Sequence, residues 1–143
     1  MLKKTLVSVI VCLGLSSTVV SAGNAELKEG MGALSGSVSA LQMGFFTNDK
    51  KVTLDAVQTL RENVHKYLGD KKKITSLLPA ELQYKSSIAV NSAQMIEKNA
   101  LIIEKALADK NMRMINRQMS TQKALLEIQN QCFRCHNLVR DWE

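Results

Sequence analysis

The sequence predicts an all-α protein, an antiparallel up-down-up-down bundle of four helices. Three observations carry this. Apolar residues recur at steps of three and four through most of the chain after its first 22 residues, and no run alternates apolar with polar as a half-buried strand does. Proline occurs once in 143 residues, so almost nothing interrupts long helices. The stretches between periodic segments are short, which in an all-helical chain makes consecutive helices antiparallel neighbours.

Residues Met1 to Ala22 stand outside that pattern and have the three parts of a secretory signal: Lys3 and Lys4, an apolar run from Leu6 to Leu15, and the small-residue site Val20-Ser21-Ala22. Cleavage before Gly23 leaves one domain over 23–143, roughly 120 residues and enough for a single core. The apolar run is too short for a bilayer-spanning anchor, since Gly14, Ser16, Ser17 and Thr18 interrupt it. Cys12 lies inside the run after the bulky Val11, a poor setting for lipid attachment. An exported protein with no stable membrane insertion is expected.

The first helix is predicted over about Ala25 to Phe46, with Leu27, Met31, Leu34, Val38, Leu41 and Phe45 on one face, ending at Thr47-Asn48-Asp49. A second begins near Thr53, whose hydroxyl suits an N-cap. It carries Leu54, Val57, Leu60, Val64 and Leu68 and stops at Gly69-Asp70. Lys71 to Leu78 reads as a connector, its three lysines forming a solvated turn. Pro79 suits the first turn of the third helix, where its missing N–H is no loss. Leu82, Ala89, Ala93, Ile96, Ala100, Ile103 and Leu107 form that helix's stripe. After a break at Ala108-Asp109-Lys110, a fourth helix carries Met112, Ile115, Met119, Leu126, Ile128 and Cys132.

The last turns of that helix hold Cys132-Phe133-Arg134-Cys135-His136, which reads as a covalent attachment site for c-type haem. Two thiols add across the porphyrin vinyl groups, and the adjacent imidazole supplies the proximal iron ligand. With the signal removed, Cys132 and Cys135 are the only cysteines left, and one haem c uses both. Two other readings stay open. A small-loop disulfide is allowed in an oxidising compartment, although the redox form of the motif wants a βαβ context. Zinc needs a fourth ligand, and the only other histidine, His65, sits in a different segment.

Removing Lys3 and Lys4 lowers the formal charge from +6 to +4, too small and dispersed an excess for nucleic acid binding and compatible with acidic protein partners. In an up-down-up-down bundle the end of the fourth helix lies beside the start of the first. His136 is therefore expected to face residues 27 to 34, where Met31 lies.

These features together resemble the class II c-type cytochromes, the cytochrome c′ and cytochrome c556 family. The matching features are a signal peptide, four helices across the mature chain, and Cys132-Phe133-Arg134-Cys135-His136 near the C-terminus with Arg140 one turn later. Val139 stands where the family commonly has an aromatic residue. The resemblance implies a bundle with covalent haem near one end, a periplasmic location and periplasmic redox partner proteins. It also implies a sixth iron ligand at Met31, the position at which c556-type members carry methionine; c′-type members have a non-ligating apolar residue there and bind nitric oxide or carbon monoxide. Family members often pair through their first two helices. Gly36, Ser37, Ser39 and Ala40 are small enough for such a homodimer and equally fit for internal packing.

The bland reading of Met31 is core filler, as for Met43, Met95, Met112, Met114 and Met119; Leu27 or Leu34 then covers the distal face. Gly30 and Gly32, which flank it, are expected to let the backbone approach a porphyrin. Arg140 is expected near a propionate, or else as a cation favoured by a helix C-terminus. Arg134 is expected in solvent near a partner surface, His65 as a surface residue, and Trp142 over the haem edge or at a fraying end. The expected function is one-electron transfer without catalysis; the alternative is a five-coordinate gas-binding cytochrome. A peroxidase needs a polarising distal group, and Leu27 to Leu34 offers only Lys28 and Glu29.

Overall fold

The computed structural model describes the backbone of residues 22–139 and side chains within 25–137. Over that range the chain is all-helical, with four long helices. Helix α1 spans Ala22–Phe46, α2 Lys50–Leu68, α3 Lys71–Leu77, α4 Ser86–Ala108 and α5 Met114–Val139, and a 3-10 segment covers Ala80–Lys85. The signal segment with Cys12, and Arg140 and Trp142, lie outside the described residues. No described helix is long and apolar enough to cross a membrane.

α1 ends in a Schellman turn. Asn48 takes the left-handed conformation at φ 52°, its N–H bonds Phe45 O at 3.2 Å, and Asp49 N–H reaches back to Gly44 O at 2.9 Å. Asp49 is also the cap of α2, its Oδ1 accepting from Val52 N–H at 3.0 Å. This corrects the expectation for Thr53. The helix starts three residues earlier, and Thr53 is buried with its hydroxyl donating to Asp49 O at 2.7 Å. The predicted connector is also a helix, because Asp70 caps it through Lys72 N–H at 2.7 Å and Ile74 and Leu77 bury one side. Of its lysines, Lys73 is half-buried and pairs with Glu26 at 2.7 Å. Pro79 precedes the 3-10 segment rather than opening the long helix, which moves Leu82 out of the α4 stripe.

Leu34 and Leu41 of α1, Val57, Leu60, Val64 and Leu68 of α2, and Ala89, Ala93, Ile96, Ala100 and Ile103 of α4 form the core as their periodicity predicts. On α5 the predicted face holds at Ile128 and Cys132, which join the core or pack against it, and fails elsewhere. Ile115, Met119 and Leu126 are more than half exposed, while Thr121, Ala124, Ile128 and Gln131 are buried. The buried side of α5 packs against α4, whose buried residues include Ala89, Ala93, Ala100 and Ala106. Burial leaves the polar members satisfied: Thr121 Oγ1 donates to Arg117 O at 2.9 Å and Gln131 Nε2 to Glu127 at 2.6 Å.

The extensive helix contacts are α1 with α2, α2 with α4 and α4 with α5. Along the first pair, Glu29 bonds Tyr67 OH at 2.8 Å, Ser37 accepts from Asn63 at 2.9 Å, and Gly44 lies against Thr53. Arg61 ties α2 to α4 through Glu97 at 2.8 Å and Glu104 at 3.0 Å. The Arg117 guanidinium donates to the carbonyls of Ala106 and Asp109, closing the turn between α4 and α5. Among the described residues, α1 and α5 make no comparable contact, and the space between them is where the candidate site lies.

Candidate functional site

A cleft of about 310 Å³ opens between α1 and α5. On α5, Cys132, Cys135 and His136 are spaced i, i+3 and i+4, which places all three on one side of the helix; they line the cleft together. Facing them on α1 are Met31, Leu34 and Val38, again at steps of three and four. Leu60 and Leu68 of α2 and Ile96 of α4 line it as well. Polar groups on the lining include Ser35, Ser39, Gln42 and Gln129, and no Asp, Glu, Lys or Arg contributes.

Close-packed interiors seldom leave a void much larger than a water molecule. A cleft of this size lined mainly by apolar side chains falls within the range of cofactor sites, roughly 300–1,000 Å³. Its chemistry is asymmetric: two thiols and an imidazole on one wall, a thioether and aliphatic side chains on the other. That donor set fits a flat apolar macrocycle attached through sulfur, with nitrogen and thioether donors available to iron.

The thiols themselves argue against a redox pair. Burial pushes Cys135 up to about 11, helped by neighbouring Cys132, and burial also raises Cys132. Reactive Cys-x-x-Cys pairs have lowered values, commonly at a helix N-terminus, whereas these sit in the last turns of α5 and are not bonded to each other. His65, the other histidine, is exposed on α2 as expected, with Nε2 3.7 Å from Glu97. Among the described residues no group of three or more His, Cys, Asp and Glu converges as a metal cage.

The structure thus brings Met31, Cys132, Cys135 and His136 to one cleft and leaves Leu27 off its lining, while Leu34 is on it. Lys28 and Glu29 are also off it. Of the flanking glycines, Gly30 has a packing role that the sequence did not suggest. A Cβ on Gly30 would stand 2.8 Å from the Tyr67 ring, so Gly30 makes room for α2, and Gly32 faces open space. Sequence reasoning missed Leu60, Leu68, Ile96, Gln42, Gln129 and Phe133. Only Leu68 was within reach, because an antiparallel α2 ends beside the start of α1. Comparison with protein-family models, with curated proteins and with solved structures finds no match.

Proposed function

We propose that this chain is a periplasmic one-electron carrier of the class II c-type cytochrome kind, an antiparallel four-helix bundle holding one haem c. The observation that carries the proposal is the meeting of the Cys132-x-x-Cys135-His136 motif with Met31 across one largely apolar cleft. Cys132 and Cys135 would hold the group covalently, with His136 and Met31 as the donors available to its iron. When bound, the haem iron supplies the one-electron couple, and methionine ligation raises its potential relative to a second histidine. Leu34, Val38, Leu60, Leu68 and Ile96 exclude water around it, and low solvent exposure is itself a determinant of potential. Arg140 is assigned to the haem surroundings on the resemblance alone.

The lack of a carboxylate, lysine or arginine on the described lining gives a peroxidase no charged group to polarise bound peroxide, which favours a carrier. The test is the absorption spectrum of the purified holoprotein in both oxidation states, into the far red where ferric methionine–sulfur ligation gives a weak band. A low-spin spectrum whose far-red band disappears in Met31→Ala is expected. A high-spin spectrum indifferent to Met31→Ala and shifted by nitric oxide would replace this reading with gas binding.

A further inference from the structure

The face of α5 turned away from α4 carries Ile115, Met119, Leu126 and Phe133, which are 55%, 63%, 55% and 67% exposed. Their spacing of 4, 7 and 7 residues keeps them in one stripe along about 27 Å of helix at 1.5 Å per residue. A shallow groove runs between Met119 and Leu126, bordered by Lys123, Glu127 and Asn130. Phe133 belongs to both this stripe and the lining of the haem cleft, so the stripe, with Gln122 and Asn130 between its apolar members, reaches the edge of the proposed cofactor site.

We propose that this stripe is where the redox partner docks, and that the partner presents an apolar patch rimmed by carboxylates. The inference rests on the carrier reading above and adds the surface and the chemistry of the partner. Two quantities select this occupant over a second copy of the chain. Four large side chains, each a little over half exposed, offer an apolar patch of only a few hundred Å². A stable interface needs about 800 Å² from each side, whereas transient redox encounters fall below that. The flanking charge is cationic: Arg113, Lys123 and Arg134 are exposed, and Glu127, half-buried and bonded to Gln131, is the only acid between Met114 and Asn137. Such charges speed encounter with an acidic surface.

The test uses the reduced holoprotein and an acidic blue-copper protein as oxidant, so that one ferrous iron gives one electron to one copper(II), with no bond made or broken. Ferricyanide, small enough to reach the cleft mouth without docking, is the control oxidant. Met119→Ser with Leu126→Ser is expected to lower the second-order rate with the copper protein by about tenfold, and Lys123→Glu to lower both the rate and its salt dependence. The ferricyanide rate of the double serine variant, and the spectra of both variants, should stay as in the wild type. Unchanged copper-protein rates in both variants would overturn the docking surface. So would a wild-type dimer by sedimentation that the double serine variant dissociates, because the stripe would then belong to a second copy. A chain that carries no haem at all would instead remove the carrier reading, and this inference with it.

Discussion

Gly44 and Gly36 lie eight residues apart on the same helix, and changing each to alanine is expected to move stability in opposite directions. A Cβ on Gly36 meets nothing within 4 Å, so Gly36→Ala brings only the better helix propensity of alanine, about 1 kcal/mol of stabilisation. A Cβ on Gly44 would lie 2.5 Å from Thr53 Oγ1, 2.8 Å from Thr53 N and 2.9 Å from Thr53 Cα. Two of those atoms are backbone, and Thr53 N–H is bonded to Asp49 O at 3.0 Å, so relief requires α2 to move away from α1. Overpacking of that kind costs about 1–3 kcal/mol, and relief by backbone movement puts this site at the upper end, so Gly44→Ala should lose roughly 2 kcal/mol after the propensity gain. Urea unfolding of the holoprotein followed by far-ultraviolet circular dichroism reads both, with midpoints moving apart by about 3 kcal/mol once multiplied by the common slope. Equal stability of the two variants would refute the close α1–α2 crossing. A loss in Gly36→Ala would show that something covers that face, as a dimer through the first helices requires.

Replacing Cys132 and Cys135 together by alanine should abolish haem retention and lower the yield of folded protein, because the cleft then keeps its apolar walls with nothing between them; normal accumulation of a folded haem-free chain would count against this. In the haem-free wild-type chain, a thiol raised to about 11 makes Cys135 alkylation at pH 8 roughly 100-fold slower than that of an ordinary thiol, measured by iodoacetamide labelling and mass spectrometry. The sign for stability follows: the buried neutral thiol contributes fully below pH 9, and about 3 kcal/mol is lost as pH rises from 9 through 11, a loss absent once the sulfur is a thioether. Arg61→Ala strands Glu97, whose Oε2 is already buried without a partner, and should cost about 2 kcal/mol by urea unfolding; Glu104→Ala, at the more exposed end of the network, should cost under about 1 kcal/mol.

Much of the helical architecture was legible because long helices announce themselves in side-chain period. The stripes of α1, α2 and α4 each have one apolar face, so most of their core members follow from the 3.6-residue repeat, although on α2 Leu54 falls outside the core and Ala56 and Tyr67 lie in it. The helix Lys71–Leu77 was not legible, since two turns beginning with three lysines show no period, and its identity depends on Asp70 as cap and on Ile74 and Leu77 finding a core to bury in. The chemistry of the site was also local: Cys132, Cys135 and His136 come to one side of one helix by spacing.

What tertiary structure decided is which surfaces face each other. On α5 side-chain period favours Ile115, Met119 and Leu126 with Ile128, and only packing against α4 decides that Thr121, Ala124 and Gln131 are buried beside Ile128 instead. Likewise the separation of α1 from α5, and with it the cleft that Met31 shares with His136, arises because both helices pack on the α2–α4 pair rather than on each other. Local period measures how apolar a face is; packing depends on the shape of the neighbour, which lies far away along the chain.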